Sequence, residues 1–253
     1  MYGGTGLDLT GSGGSRRFAC TENSIVKHRI SVIIPVLNEA SLINETIKSI
    51  LALPYEGYFE VIVVDGSPEC GTINTIQEKR VKKIIAGKGR SKQMNKGALH
   101  ASGDVLLFLH ADTALPLNAL ENISRAMEQR KVVAGAFDLG ISSERPVFRL
   151  IETAASLRSR LTRIPYGDQA IFIRKDYFHA TGGFREMPLM EDVELMRRIR
   201  KAGDRISIIP EKVSTSARRW EKEGVLFCTL RNWTLITLYF FGASPEKLTR
   251  FYR

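Results

Sequence analysis

Cysteine is scarce in this chain. The 253 residues hold three, Cys20, Cys70 and Cys228, an odd number at no metal-ligand spacing, which argues against both a disulfide framework and a zinc site and suits a reducing cytosol. The first 29 residues lack any apolar stretch that could form a signal-peptide core. They are rich in glycine and serine up to Ser15, then polar and basic, and are expected to form a flexible leader. Their glycines, Gly3-Gly4-Thr5-Gly6 and Gly11-Ser12-Gly13-Gly14, follow no strand and precede no Gly-Lys-Ser/Thr, so they do not read as a phosphate loop. No internal repeat, base-reading motif or aromatic stacking platform is visible, and no nucleic-acid partner is expected. Acidic residues are outnumbered, 27 against 37 basic, and the net charge of +10 draws anionic partners by long-range attraction.

Apolar residues make up 43% of the chain, enough for one large α/β domain or a domain with a small appendage. From Ile30 onward short β-branched runs alternate with amphipathic stretches, the pattern of βα units around a mostly parallel sheet. The runs predict strands over 30–36, 59–64, 83–86 and 105–109, with helices over 39–53, 71–79 and 91–101 between them and Asn38 as N-cap of the first. Further on, the pattern predicts a helix over 117–130, a strand over 132–139, a helix over 145–161 and a strand over 170–174. A helix over 191–201, a strand over 205–209 and a closing segment over 213–220 follow, and the sheet is expected to become mixed in this half. Sheets of this kind gather ligands at the carboxyl ends of their strands, where Asn38, Asp65 and Asp112 fall.

Other local features have two readings each. Lys79 to Lys96 contains eight basic residues and no acidic one, around Gly87-Lys88-Gly89-Arg90-Ser91 at a helix start. Helix N-termini and guanidinium forks suit phosphate, while a solvated basic face is the plainer reading for Lys79, Lys82 and Lys83. Glu191-Asp192 opens a helix, either as an acidic capping turn or as a functional pair. The stretch 225–243 carries one charge, Arg231, with Trp233, Tyr239, Phe240 and Phe241. An arginine at its centre would be costly in hydrocarbon, so a buried or docking helix comes first and an interfacial amphipathic helix second.

Four blocks in order, Ile33-Ile34-Pro35-Val36-Leu37-Asn38-Glu39, Asp65-Gly66-Ser67, His110-Ala111-Asp112 and Glu191-Asp192, resemble the family 2 glycosyltransferases of the GT-A fold. The resemblance covers residues 30–220, and Leu109-His110-Ala111-Asp112-Thr113 with Ser216-Ala217-Arg218-Arg219-Trp220 is similar to small stand-alone bacterial members. It implies a Rossmann-like α/β domain over 30–220, a mostly parallel, partly mixed sheet flanked by helices, with a helical appendage over 221–253. It also implies non-processive, inverting transfer of a sugar from a nucleotide diphosphate, UDP- or GDP-linked, to an acceptor hydroxyl. Pro35, Asn38 and Glu39 would then form the first nucleotide-contacting turn, and Asp65 would accept hydrogen bonds from base or ribose. Arg90 and Asn95 would face the donor, as would His110 and Ala111. Asp112 would hold a divalent cation, Mn or Mg, against the two phosphates. Gly167, Asp168, Gln169 and Glu191 would shape the acceptor and sugar pocket, Asp192 would be the catalytic base, and Arg218 or Arg219 would approach the diphosphate.

Three departures qualify the match. His110 stands where the family's usual Asp-x-Asp has its first carboxylate, and reads equally as a satisfied strand-end histidine. Ser67-Pro68-Glu69-Cys70 replaces a common Ser-Thr-Asp, and Ser216 replaces the Gln of processive synthases, beside a Trp220 that also suits a core. The acceptor is open, with a lipid-linked hydroxyl reached from an anionic membrane surface among the candidates and a second copy of the chain a further partner. The expected location is cytoplasmic, peripheral on the inner face of the plasma membrane. The rival readings are a sugar-phosphate nucleotidyltransferase, whose Gly-rich opening loop is absent here, and a non-catalytic basic protein binding nucleotide or nucleic acid.

Overall fold

The computed structural model describes residues 1–3 and 27–252, so most of the expected leader, Cys20 included, lies outside the described residues. Cys70 and Cys228 are free thiols. The apolar runs become β1 (Ile30–Val36), β2 (Phe59–Asp65), β3 (Lys82–Ile85) and β4 (Val105–Phe108), all parallel. β1 and β4 are apolar almost throughout because helices cover both faces of the sheet. β5 (Thr113–Ala114), β6 (Val132–Ser142), β7 (Phe172–Arg174) and β8 (Arg205–Ser216) complete one sheet in the order β3-β2-β1-β4-β7-β6-β8-β5. β7 runs antiparallel to both β4 and β6, while β6 and β8 are parallel, so the sheet turns mixed in its second half as the sequence predicts.

The helices are α1 (Ile43–Leu51), α2 (Arg90–His100), α3 (Ala119–Glu128), α4 (Pro146–Thr162) and α5 (Lys175–Ala180). They continue with α6 (Glu191–Lys201), α7 (Arg218–Glu223), α8 (Val225–Phe240) and α9 (Pro245–Tyr252). Alternate residues of β1 feed opposite layers: Val32 and Ile34 pack with α1 and α3, and Ile33 packs with α2 and α6. α2 lies close on the sheet because Gly97 has no side chain; a Cβ there would stand 2.5 Å from Ile33 Cγ2 and 3.1 Å from Val64 Cγ2.

Several expectations need correction. Only a 3-10 turn, Ile73–Thr75, forms within 71–79. Side chains from elsewhere take this segment's backbone groups: Asp65 Oδ2 accepts the Ile73 N–H at 3.2 Å, Asn44 Oδ1 accepts the Gln77 N–H at 3.1 Å and Asn44 Nδ2 donates to the Thr75 carbonyl at 2.8 Å. Asn38 is not an N-cap, because α1 begins at Ile43 with Leu42 as its cap, and Asn38 instead adopts a left-handed φ of 61°. The separate segments 205–209 and 213–220 are one strand, β8, whose pairing with β6 slips between Phe137 and Asp138, after which α7 carries Arg218 to Trp220.

α4 is fastened to the sheet. Glu152, fully buried, accepts the Ile141 N–H at 2.7 Å and meets Lys212 at 2.8 Å, and Ser156 Oγ accepts the Leu139 N–H at 3.2 Å. α8 buries Val225, Cys228, Leu235 and Ile236 but exposes Leu226, Phe227, Leu230 and Trp233. The Arg197 guanidinium, 5.3 Å from the Tyr239 ring centroid and 4.9 Å from that of Phe240, ties α6 to the end of α8. No helix among the described residues is long and apolar enough to cross a membrane.

Candidate active site

A cavity of about 500 Å³ opens at the carboxyl ends of β1 and β4. Pro35 and Glu39 line it from the turn after β1, His110, Ala111 and Asp112 from the end of β4, and Lys88 and Arg90 from the start of α2. Gly167 and Asp168 enter from the 3-10 turn Gly167–Gln169, Glu191 and Asp192 from the start of α6, Arg219 from α7, and Asn232, Leu235 and Ile236 from α8. Residues more than a hundred positions apart thus converge because parallel strands deliver their carboxyl ends to one edge.

The charges are arranged in two groups. Asp112 and Glu39 face the Arg218 guanidinium, whose Nη2 lies 3.3 Å from Asp112 Oδ2 and 3.9 Å from Glu39 Oε2. Burial raises the Glu39 pKa, Arg218 opposes that shift and Asp112 adds to it. On the other side, Glu191 is 4% exposed, and burial with the neighbouring Asp192 lifts it above the usual carboxylate range against the pull of Arg90, whose Nε is 3.8 Å away. Burial pushes Asp168 up to about 6, with Arg158 opposing and Asp192 adding, and its Oδ1 has no hydrogen-bond partner among the described residues. Burial and then Arg90 push His110 down to about 3, so its imidazole is neutral near pH 7.

Asp192 is held from two directions. Its Oδ1 accepts the Val193 N–H at 2.7 Å and its Oδ2 accepts the Gly167 N–H. A Cβ at Gly167 would stand 3.0 Å from Asp192 Oδ2 and 3.2 Å from His110 Nε2, so glycine is what lets these side chains flank the same turn. Met190, at φ 70°, turns the chain sharply into α6 and aims the acidic pair at the cavity.

Five residues singled out by sequence do not line this cavity. Asn38 sits in the turn beside it. Asp65 is fully buried, accepting the Ser67 N–H at 2.8 Å and the Ile73 N–H at 3.2 Å, so its carboxylate orders the loop after β2. Asn95 donates to the Phe184 carbonyl at 2.7 Å and accepts the Phe184 N–H at 3.0 Å, a staple between α2 and the turn after α5. Gln169 is fully buried, accepting from Ser159 Oγ at 2.7 Å and donating to the Phe137 carbonyl at 2.9 Å, which locks the turn that presents Asp168. Arg218 stands outside, turned onto Asp112 and Glu39.

Sequence reasoning missed Gln93, Tyr166 and Asn232. Gln93 Nε2 donates to the carbonyls of Val36 at 2.7 Å and Val64 at 2.8 Å, suturing the ends of β1 and β2 under the cavity. Tyr166 carries the Arg158 guanidinium 3.3 Å from its ring centroid, and Asn232 arrives from α8. None has a local signature of its own; the basic run pointed near Gln93, and the Gly167-Asp168-Gln169 block pointed near Tyr166.

An α/β domain with a mixed sheet and a charged cavity at the ends of its parallel strands is the architecture of a GT-A transferase. The glycosyl transferase family 2 model matches residues 31–188, and the chain belongs to that family. A probable glycosyltransferase, YdaM, of Bacillus subtilis is 27% identical over 244 residues, covering 83% of this chain and 56% of that protein. Hyaluronan synthase of Streptococcus pyogenes is 28% identical over 167 residues, covering 61% of this chain and 38% of the synthase. The chain therefore spans about half the length, or less, of these curated relatives. Among solved structures, the mannosyltransferase PcManGT from Pyrobaculum calidifontis, in complex with GDP-Man and Mn2+, matches 75% of this chain and 56% of its own with a TM-score of 0.59 and 22% identity. That likeness bears on the fold.

Proposed function

We propose that the protein transfers a sugar, with inversion and without processivity, from a nucleotide-diphosphate donor to an acceptor hydroxyl. The observation that carries this reading is the convergence of Asp112, Asp192, Arg90 and Arg219 on one cavity from four separate elements. Lys88, Arg90 and Arg219 supply positive charge for a diphosphate, with Arg90 on the first turn of α2. Asp192, fixed by two backbone N–H groups, accepts the acceptor's proton as its oxygen bonds to the anomeric carbon. The bond from that carbon to the diphosphate oxygen breaks, and its electron pair leaves with the nucleotide. Neutral His110 beside Gly167 can accept or donate one hydrogen bond to a sugar or ribose hydroxyl without adding charge.

Asp112, with Glu39 beside it, is the carboxylate set that would hold a divalent cation. The fit rests on hard oxygen donors and on a locus that already attracts the Arg218 cation. No group of three potential ligands occurs among the described residues, so diphosphate oxygens and water would complete the shell. A bound Mn or Mg would neutralise charge growing on the leaving diphosphate. The test is thermal unfolding with UDP-, GDP-, CDP- and dTDP-sugars, with and without manganese. One donor should raise Tm selectively, and more so with the metal, because it binds only the folded state. A flat response across the panel would remove the reading.

A further inference from the structure

A second cavity, of about 370 Å³, lies between α4 and α8. Leu139, Ile151, Ala154 and Ala155 form one wall, and Trp233 and Ile236 contribute to the other. It is continuous with the first cavity, because Tyr166, Asp168, Trp220, Asn232 and Ile236 line both. These shared residues form a neck between a charged chamber and an apolar one.

The neck is chemically unfinished. Asp168 Oδ1, Trp220 Nε1 and Asn232 Oδ1 are buried there without hydrogen-bond partners among the described residues, as are Arg158 Nε and Thr229 Oγ1, whose side chains line the second cavity. Buried polar atoms in folded proteins are normally paired, so five together mark where a ligand's polar groups belong. Their types are informative. The indole and guanidinium N–H groups donate, the carboxyl and amide oxygens accept, and a hydroxyl does both. That mixture matches a ligand hydroxyl, whereas a phosphate would set its oxygens against those of Asp168 and Asn232. Arg158, which attracts Asp168, balances the carboxylate's charge. Beyond the neck the apolar character continues outward: Leu150 and Leu157 on α4 and Leu226 and Leu230 on α8 are exposed along the same helical stripes as the wall residues.

We propose that this second cavity is the acceptor site and that the acceptor is an amphiphile. An uncharged, hydroxyl-bearing head passes the neck toward Asp192, and a hydrocarbon chain lies between α4 and α8. The inference rests on the transferase reading above. Gly167, the residue before Asp168, donates its N–H to Asp192, so the turn that carries the neck is hydrogen-bonded to the proposed base on α6.

The two tryptophans of the chain, Trp220 and Trp233, both line this cavity, so their emission reports its occupancy with no donor present and no turnover. The intact protein is titrated with hexyl, octyl and decyl glucoside below their micellar concentrations. Tryptophan emission should shift to the blue, and Kd should fall by about fourfold per added methylene. Ala154→Phe, which fills the apolar wall, should abolish the response while the protein still unfolds cooperatively, and Ala154→Ser, which keeps the space open, should bind within a few-fold of the parent. Octyl phosphate should bind more weakly than octyl glucoside. Affinity independent of chain length, an unchanged emission, or full binding by a folded Ala154→Phe would overturn the proposal. A preference for octyl phosphate would overturn the uncharged head. A dimer in sedimentation whose emission ignores every probe would assign the apolar walls to a second copy and overturn it too. Failure of the transferase reading would appear separately, in the donor panel, because this titration contains no nucleotide.

Discussion

Asp192 and Asp112 make opposite demands on a mutational experiment. Asp192→Asn keeps the shape and one of the two backbone hydrogen bonds but removes the proton acceptor, so donor-induced Tm shifts should survive while transfer falls by ~10²–10⁴-fold. Asp112→Ala should lose donor stabilisation in manganese and transfer together; equal donor binding by mutant and parent at saturating manganese would exclude Asp112 as a ligand. Asp168 gives a pH signature. Its folded pKa, about 6, lies above the ordinary aspartate value of 3.8, so ionisation opposes folding. The stability contribution is full below about pH 4 and is lost as pH rises through about 6. Asp168→Asn should therefore have a higher Tm than the parent at pH 8, by at most about 3 kcal/mol of stability, with the gap closing toward pH 4 in a scanning-fluorimetry series. At this scale Asp112, His110 and the Glu191-Asp192 pair were legible because each ends an apolar run or opens a helix. Asp65 also ends an apolar run, yet its side chain turns inward to backbone groups of the loop that follows it, and Asn95 and Gln169 turn to backbone groups of remote segments. Only the tertiary structure decides which way such a residue faces.

α2 owes its seat to Gly97. Glycine is unfavourable in a helix interior, so on propensity alone Gly97→Ala would stabilise α2 by roughly 1 kcal/mol. The contact with Ile33 reverses the sign: the added methyl overpacks the sheet face and should cost about 1–3 kcal/mol in urea unfolding, while tilting Arg90 away from the cavity and weakening donor binding. A gain in stability would show that α2 is free to move off the sheet. The long elements were legible from periodicity, and α6 spans 191–201 as expected. The failures have common physical causes. The 71–79 segment has helical periodicity, but Asp65 and Asn44 compete for its backbone. β5 is too short to show an alternation, and only its partner β8 defines it.

The whole molecule combines a net charge of +10 with an apolar, partly exposed C-terminal helix pair. Leu226, Phe227, Leu230 and Trp233 protrude from α8, and Phe251 from α9. The intact protein should cosediment with phosphatidylglycerol vesicles at low salt and be released as salt screens the attraction. Phe227→Ser should weaken that binding severalfold, and a protein that stays in the supernatant would leave α8 as a packing element alone. Binary pattern and charge made this surface visible in the sequence; its second cavity was not, since the walls come from helices far apart in the chain. Arg218 has a last consequence, for the protein at rest. Two neighbouring carboxylates on the cavity wall, Glu39 and Asp112, would repel each other, but the guanidinium spans them, so the idle protein carries its own counterion. Its folding should then be indifferent to chelation, with the same Tm in EDTA and in buffer, even if turnover needs a metal. A chelator-sensitive Tm would mean that the internal counterion does not suffice.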